Sequence, residues 1–298
     1  MSTKIIREEK IDIIHANDDL NMYFVLKAKP KSVKMIAHSH TTNFKFTNNS
    51  VISKLLSSHI SKYIAKNSDL RLSCGKEAGK ALFGKKDFEI INNGIFLDDY
   101  YYSEETRKRL RAELGIPTDY VVWLNIGRID VNKNQVFLAE VFNRYRAINK
   151  KTKLLIIGNG CAESELKDYI AKNNLSNSVI ILNSRAKAYE YYNVADIFVM
   201  PSLFEGMPVT SVEAQANGLK CVFSSNISKE ADHLGTAKFY PLEEGAKRWA
   251  TNISALELKR KKVAYDKMDK YDIKKIAFII SNKYVKMTLS NKNDIQQS

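Results

Sequence analysis

Runs of apolar, largely β-branched residues alternate with helical segments along most of this chain. Residues 51–66, 133–148 and 163–173 carry apolar side chains three to four positions apart, which predicts amphipathic helices. Strands separated by helices of this length form parallel sheets covered on both faces. The pattern therefore predicts a doubly wound α/β fold, in two units. The runs predicted as strands are residues 10–16, 32–38, 69–74, 88–93, 120–126, 153–158, 178–182, 196–201 and 220–224.

Residues 98–118 indicate the boundary between the two units. Ser103 suits the N-cap of a helix, and Gly115 suits the position just after its end. A polar helix between two strand-rich halves is typical of a connector between domains. The predicted divisions are a first domain with about four strands over residues 1–102, a connector helix over 103–118, a second domain over 119–253, and a helical segment with a polar tail over 254–298.

The positive charge is concentrated in two segments. The chain has 298 residues and a formal net charge of +14. Residues 27–86 hold 13 basic and 2 acidic side chains, and residues 254–298 hold 11 and 5, whereas residues 119–253 hold 16 and 14. This pattern is compatible with a solvated lysine surface or with attraction to an anionic membrane face or a phosphate-bearing substrate. Without zinc-finger spacing or an RNP signature, we expect no specific nucleic-acid partner.

The cysteines and the N-terminal residues indicate the cellular compartment of the protein. The three cysteines form no CxxC pair, which is typical of a reducing cytosol. The first ten residues, MSTKIIREEK, carry charges where a signal peptide is apolar, and no run approaches 18 apolar residues. We therefore expect a cytoplasmic protein, with peripheral contact at the inner face of the cell membrane as a further prediction.

The segment NIGRIDVNKN, residues 125–134, follows the strand predicted at 120–126. Gly127 turns the chain out of the strand, and Arg128 and Lys133 fall in the loop or at the start of the next helix. Two cations near a helix N-terminus can bind an anion, because the unpaired N–H groups add to the side-chain charges. The alternative is that both are ordinary surface residues.

The segment PSLFEGMPVTSVEAQANG, residues 201–218, follows another predicted strand. Glu205 lies in a loop and Glu213 inside the next helix, with a Glu-x7-Glu spacing. Gly206 lets the backbone approach a ligand closely, and the amides around Met207 face the same anion site. Pro208 suits the first helical position. A loop carboxylate there suits the hydroxyl groups of a sugar; ordinary helix-surface glutamates are the alternative.

The segment IAHSHTTNF, residues 36–44, ends a strand of the first unit. His38 and His40 are two positions apart, and we expect their rings on opposite faces. A histidine at a strand end can donate to a substrate hydroxyl or phosphate, or can be a structural residue. No further ligands surround them in the sequence, and we expect no metal site. Asp-x-Asp, GxSxG, GxxxxGK[ST] and GxGxxG are absent, and a lone GxG at Gly158 predicts a tight turn.

Together these segments resemble the retaining glycosyltransferases of family 4, in particular the bacterial exopolysaccharide and capsule type. The resemblance covers about residues 10–285 and is most specific over 195–218. It implies a GT-B fold, with two Rossmann-like doubly wound domains, the first on the acceptor side and the second binding a nucleotide-sugar donor. Members usually begin with further strand–helix units, so the first domain is predicted to be incomplete.

The resemblance also implies roles for individual residues. Arg128 and Lys133 match the pair that binds the donor diphosphate, and Gly127 lies in the same motif. In members of this family the donor phosphate is thought to take the acceptor proton, and neither a metal nor another cofactor is expected. Glu205 and His40 match residues near the transferred sugar, and Gly206 and Met207 match residues whose amides lie beside it. Glu213 matches the carboxylate that binds the ribose hydroxyls, and residues 183–187 lie where the base is bound.

Three functions remain open at this point. The leading prediction is a hexosyltransferase that uses a nucleotide-diphosphate sugar and a polysaccharide or lipid-linked saccharide acceptor. The alternative is a non-catalytic or degenerate nucleotide-sugar-binding subunit, and a basic nucleic-acid-binding protein is third. For the short first domain we consider a naturally short inactive product, a partner chain that supplies the rest, or a fragment of a longer protein.

Overall fold

The computed structural model describes residues 5–6, 8–17, 19–41, 51–183, 187–260 and 262–296. Contacts divide the chain into two compact units, which we call unit 1 (Met1–Gly94 with Lys270–Ser298) and unit 2 (Ile95–Asp269). Each unit is built on a parallel sheet, as predicted from the sequence.

Unit 1 contains a four-stranded sheet in the order β1-β2-β3-β4. Its strands are β1 (Ile13–Ala16), β2 (Lys34–Ser39), β3 (Leu70–Ser73) and β4 (Glu89–Ile90). Its helices are α1 (Asp19–Ala28), α2 (Val51–Asn67), α3 (Lys76–Phe83) and the last helix of the chain, α9 (Ile273–Gln296).

Helices cover both faces of the unit 1 sheet. Met35 of β2 packs with Met22 of α1 and Ile64 of α2. The next residue, Ile36, packs with Ile276 of α9. Successive side chains of a strand point to opposite faces, so α1 and α2 cover one face and α9 covers the other.

Unit 2 contains a six-stranded sheet in the order β10-β9-β8-β5-β6-β7. Its strands are β5 (Val121–Ile126), β6 (Thr152–Ile157), β7 (Val179–Leu182), β8 (Ile197–Met200), β9 (Lys220–Ser224) and β10 (Lys238–Tyr240). Its helices are α4 (Glu104–Glu113), α5 (Gln135–Ile148), α6 (Glu163–Lys172), α7 (Val209–Ala216) and α8 (Gly245–Ser254).

The strand order of unit 2 reverses between β5 and β8. From β5 the chain proceeds outward through β6 and β7, and it then returns to β8 and proceeds in the other direction. The loops that leave the carboxyl ends of β5 and β8 therefore diverge to opposite faces of the sheet and leave a crevice between them. Open α/β sheets bind ligands at such a switch point.

The predicted elements agree with the structure better than the predicted domain boundaries do. All nine predicted strands overlap an observed strand, and β10 was not predicted. The predicted caps of α4 are present: the Ser103 hydroxyl accepts the Thr106 amide at 3.1 Å, and Gly115 has φ +62°. However, α4 lies inside unit 2 rather than between the units. The segment predicted over 254–298 is divided, because α9 covers the second face of the unit 1 sheet.

Asp196, just before β8, holds α4 against the unit 2 sheet. Arg107 donates to its Oδ1 at 2.6 Å, and Arg111 donates to its Oδ2 at 2.8 Å. The Val122 amide of β5 donates to the same Oδ2 at 2.7 Å. Arg111 is 3% exposed, and burial lowers the pKa of its guanidinium against the opposing charge of Asp196. One carboxylate thus joins α4, β5 and the start of β8.

Among the helices that the structure describes, none is both long enough and apolar enough to cross a membrane.

We expect Asp196→Asn to lower the free energy of unfolding of unit 2 by about 2–3 kcal/mol, because it leaves two arginines without their anionic partner. Asp119→Asn is the matched control, since Asp119 and its partner Lys151 are both more than half exposed; we expect a change within about 0.5 kcal/mol. Urea unfolding followed by tryptophan fluorescence measures both, because Trp123 and Trp249 are buried in unit 2. Equal effects of the two substitutions would contradict the role of Asp196.

Candidate functional site

The loop after β5, residues 127–134, leaves the sheet at the switch point of unit 2. Gly127 has φ +156°, a backbone conformation that favours glycine. Gly158, after β6, lies against it, and a Cβ at Gly158 would be 1.9 Å from the Gly127 carbonyl oxygen. The lone GxG of the sequence thus permits a close approach of two backbones, which directs the β5 loop along the edge of the sheet.

Lys133 and Glu205 meet at the carboxyl edge of the unit 2 sheet. Lys133 Nζ donates to Glu205 Oε1 at 2.5 Å, and the two side chains are 19% and 16% exposed. The Lys133 amide donates to Asp130 Oδ1 at 2.9 Å, which fixes the backbone just before α5. A cation and a carboxylate, 72 positions apart in the chain, therefore form one partly buried pair between the β5 and β8 loops.

Asn132 connects these two loops through three hydrogen bonds. Its carbonyl accepts the Leu203 amide at 2.7 Å, and its side-chain amide donates to the Phe204 carbonyl at 2.9 Å and to Glu205 Oε1 at 3.5 Å. Glu205 Oε1 consequently accepts from both Lys133 and Asn132. Asn132 was not among the predicted site residues, although it lies inside the motif that carries Arg128 and Lys133.

Arg128 lies in the same loop but is much more open to solvent. Its side chain is 83% exposed, and its Nε lies 3.4 Å from Asp130 Oδ2. Gln135, the first residue of α5, donates to the Arg128 carbonyl at 2.8 Å and so holds the backbone beneath the exposed side chain. Arg128 can therefore move to an anion at this edge of the sheet, and Asp130, 19% exposed, still accepts the Lys133 amide when it does.

The β8 loop continues into α7 through Gly206, Met207 and Pro208. Gly206 and Met207 are half-buried beside Glu205. Pro208 was predicted to be the first residue of this helix. It is the N-cap instead, and α7 begins at the next residue, Val209. Gly218 has φ +77° just after the helix.

Glu213, inside α7, is half-buried and accepts hydrogen bonds from two tyrosines. Tyr100 donates to its Oε1 at 2.7 Å, and Tyr192 donates to its Oε2 at 2.5 Å. Burial, followed by the charge of Glu213, raises the pKa of both tyrosines well above the usual range. Both hydroxyls thus remain protonated donors at neutral pH. Sequence reasoning missed both residues; the tyrosine-rich runs DDYYY and AYEYYN were the available signal.

His40, the remaining predicted site residue, lies in unit 1 just after β2. Its Nδ1 is 2.9 Å from Asn93 Oδ1, and its Nε2 is 3.0 Å from Asn17 Oδ1. The ring centroids of His38 and His40 are 4.1 Å apart, so the prediction that they point to opposite faces was wrong. Residues two positions apart in an extended chain share a face.

The stack of histidines continues from His38 to His15. His38 Nδ1 is 3.1 Å from His15 Nε2, and His15 Nδ1 is 2.7 Å from the Tyr284 hydroxyl of α9. Burial, then the charges that His40 and His15 would carry, lowers the pKa of His38 to about 3. Burial also lowers the pKa of His15 and of His40. At neutral pH the three rings are uncharged.

The structure thus places the predicted residues in three groups. Glu213 is bound by Tyr100 and Tyr192 of unit 2. Gly127, Lys133 and Glu205 come together at one edge of the unit 2 sheet, and Arg128 lies in the same loop. His40 belongs to unit 1. In the loop predicted to bind a base, residues 184–186 lie outside the described residues. In the described parts of the chain, no three His, Cys, Asp or Glu side chains are grouped so as to hold a metal ion.

The family model described as "Glycosyl transferases group 1" matches residues 106–271. EpsF of Bacillus subtilis (strain 168) is 30% identical over 249 residues, which are 81% of this chain and 65% of EpsF. The UDP-Gal:alpha-D-GlcNAc-diphosphoundecaprenol alpha-1,3-galactosyltransferase of Escherichia coli is 27% identical over 234 residues, 74% of this chain and 60% of that protein. The chain therefore spans less than two thirds of the length of either relative.

The chain is also similar in structure to HepE of Anabaena, whose crystal structure contains UDP. The TM-score is 0.77 at 17% sequence identity, and the match covers 95% of this chain and 81% of HepE. This likeness confirms the predicted fold class, GT-B, with two Rossmann-like α/β domains.

Because the pKa values of the stacked histidines are lowered, we expect the free energy of unfolding of unit 1 to fall as the pH falls below neutral. Between pH 6.5 and about 3 the unfolded chain binds protons that His38 does not bind in the folded state, so the free energy of unfolding falls as the pH falls. The loss is at most about 1.4 kcal/mol per pH unit for each histidine. Hydrogen exchange of the β2 amides, measured from pH 7 to pH 4.5, reports this slope.

We expect His38→Gln to reduce the slope of the free energy of unfolding against pH by the contribution of about one proton. His59→Gln, which removes an exposed histidine of the same unit, controls for the loss of one histidine side chain. The buried stack would not be the cause if His38→Gln kept the wild-type slope.

Proposed function

We propose, because this chain belongs to the family of group 1 glycosyl transferases, that it transfers a hexose from a nucleotide-diphosphate sugar to a polysaccharide or lipid-linked oligosaccharide acceptor, with retention of anomeric configuration. In this proposal unit 2 binds the donor. The observation that carries it is the Lys133–Glu205 pair, which joins the β5 and β8 loops at the switch point of the unit 2 sheet.

Departure of the nucleotide diphosphate is the step that needs stabilisation. Negative charge accumulates on the diphosphate as the bond from the sugar carbon to the phosphate oxygen breaks. Arg128 and Lys133 supply two cations, and the backbone amides of Gly206 and Met207 supply neutral donors. Donors that are already oriented are worth about 10²–10³ in rate each. This set of groups needs no metal ion, and we propose that none takes part.

Glu205 has two roles in this proposal. In the structure it accepts from Lys133 and Asn132, so the lysine charge is neutralised and the lysine side chain is oriented. With a donor, the diphosphate takes over Lys133, and the carboxylate is released to accept from the sugar hydroxyls. Because Lys133 is already paired with an anion and shielded from water, binding of the diphosphate does not add the free-energy cost of removing the lysine charge from water.

The remaining predicted roles complete the proposal. Glu213 accepts from the ribose hydroxyls of the donor. For His40 of unit 1 we keep the role that the family resemblance implies, a hydrogen bond donated to the transferred sugar or its phosphate. As a neutral ring at pH 7 it has one N–H, and it would give up its contact with Asn93 or Asn17 to donate that N–H to a substrate. The acceptor hydroxyl attacks from the side of the leaving group, and a diphosphate oxygen takes its proton, so no protein side chain serves as base.

The similar proteins support the substrate classes. The name of the E. coli relative specifies UDP-galactose as donor and a diphosphoundecaprenol-linked sugar as acceptor. HepE was crystallised with UDP. We therefore propose a uridine diphosphate hexose as the first donor to test.

We also propose peripheral contact with an anionic membrane, where a lipid-linked acceptor would lie. The support is the charge of residues 27–86, which hold 13 basic and 2 acidic side chains.

Lys133→Ala and Glu213→Ala are each expected to weaken UDP binding by about 10- to 100-fold, the range for loss of a charge-assisted hydrogen bond. Lys167→Ala is the matched control, because Lys167 is an exposed lysine of unit 2 that pairs with Glu163. Isothermal titration with UDP, GDP and ADP measures the affinities. A wild-type chain that binds none of the three nucleotides would reject the proposed donor site.

Glu205→Gln is expected to strengthen UDP binding by about three- to tenfold, because Lys133 loses the carboxylate that competes with the diphosphate. The same substitution is expected to slow sugar transfer about 100-fold, since the neutral amide accepts sugar hydroxyls less well. Glu163→Gln removes a surface glutamate that pairs with a lysine of the same unit and serves as the control. Weaker UDP binding by Glu205→Gln would contradict the exchange of partners.

Transfer of radiolabelled hexose by the purified chain tests turnover directly. We expect label from a UDP-hexose in a lipid-linked saccharide, or in free hexose when no acceptor is present. Donor binding without either product would favour the alternative of a non-catalytic nucleotide-sugar-binding subunit.

A further inference from the structure

Two tyrosine hydroxyls from separate segments of unit 2 converge on one carboxylate. Tyr100 ends the short helix Leu97–Tyr100, and Tyr192 lies in the short helix Ala188–Asn193. Tyr100 donates to Glu213 Oε1 at 2.7 Å, and Tyr192 donates to Oε2 at 2.5 Å. We call these three residues the tyrosine clamp. Each tyrosine holds one oxygen, so the clamp fixes both the position and the rotation of the carboxylate.

The clamp is rigid on its inner side. Tyr192 is 1% exposed, and its ring meets the Tyr100 ring edge to face, with the centroids 5.6 Å apart. The buried Asn217, just after α7, donates to the Tyr100 carbonyl at 2.9 Å. Arg260 donates to the Tyr192 carbonyl at 3.3 Å and to the Asn217 carbonyl at 2.7 Å. The backbone of each tyrosine is therefore tied to the region that follows the helix carrying Glu213.

The clamp leaves a defined set of acceptors on Glu213. An ionised carboxylate has two oxygens with about four lone-pair positions. The two tyrosines use one position on each oxygen, which leaves one on each oxygen of a half-buried side chain. Two adjacent acceptors held in one plane match two hydroxyls on neighbouring carbons. A ribose offers that pair at its 2′ and 3′ positions, and a 2′-deoxyribose offers a single hydroxyl.

We propose that Tyr100 and Tyr192 are positioning residues that orient Glu213 for both ribose hydroxyls, and that the clamp restricts this site to sugars carried by ribonucleotides over those carried by 2′-deoxyribonucleotides. This inference rests on the proposed donor site and adds the specificity for its nucleotide. A 2′-deoxy donor would leave one carboxylate acceptor without a partner, and a site built to bind a hydroxyl discriminates strongly against the analogue that lacks it.

The test compares UDP, GDP and ADP with their 2′-deoxy counterparts by isothermal titration. We expect the wild-type chain to bind its ribonucleoside diphosphate at least about tenfold tighter than the deoxy form. In Tyr100→Phe and Tyr192→Phe the ratio is expected to fall to within about threefold, because the carboxylate can then rotate. Affinity for the deoxy form is expected to change little, since it does not use the second acceptor.

Tyr102→Phe is the matched control. Tyr102 also donates its hydroxyl to a carboxylate, that of Glu104, but it lies outside the clamp. We expect Tyr102→Phe to keep the wild-type ratio. Urea unfolding followed by tryptophan fluorescence checks that each variant is folded. If the substitution of the buried Tyr192 prevents folding, the ratio measured for the half-buried Tyr100→Phe decides the question.

The outcomes separate this inference from the proposed function. A wild-type chain that binds none of the six nucleotides overturns the donor site and the clamp with it. Equal binding of the ribo and deoxy forms by wild type leaves the donor site standing and overturns the inference. A wild-type ratio that survives in Tyr100→Phe, or that falls equally in Tyr102→Phe, overturns the clamp as the cause of the discrimination.

Discussion

The pairing of β5 with β8 determines where the charged residues of unit 2 lie. These strands are neighbours in the sheet but are separated in the chain by two further strands, so their loops diverge at the carboxyl edge. Lys133 comes from one loop and Glu205 from the other, and Asn132 joins the two backbones. Asp196 fixes the same pair of strands at their opposite ends, because it binds the Val122 amide of β5 and the arginines of α4. The geometry of the candidate site is thus a consequence of the sheet order.

Charged side chains at the candidate site have partners within the protein. Lys133 is neutralised by Glu205, and Glu213 accepts from Tyr100 and Tyr192. A partly buried charge without a partner is costly, so a fold that collects charges at one edge must supply counter-charges or hydrogen bonds there. In the proposed reaction, binding then replaces one partner by another at Lys133. At Glu213 it adds partners to acceptor positions that are still available.

Unit 1 uses burial rather than pairing to control its titratable side chains. His38 is held neutral by its surroundings, and His15 and His40 are shifted in the same direction. Neutral rings can stack at 4.1 Å without mutual repulsion, which explains how three histidines share one region of the unit. The last link of the stack is Tyr284 of α9, the helix that also covers one face of the sheet.

The amino-acid sequence by itself determined the elements of this protein and most of the residues of its candidate site. Apolar periodicity and caps such as Ser103 and Gly115 are local properties, so they predicted nine of the ten described strands and the ends of α4. Only the tertiary structure decided that α9 returns to unit 1 and that Tyr100 and Tyr192 converge on Glu213. Such contacts join segments tens to hundreds of positions apart. Spacing along a chain gives side-chain direction within one element, and the packing of several elements decides which side chains meet.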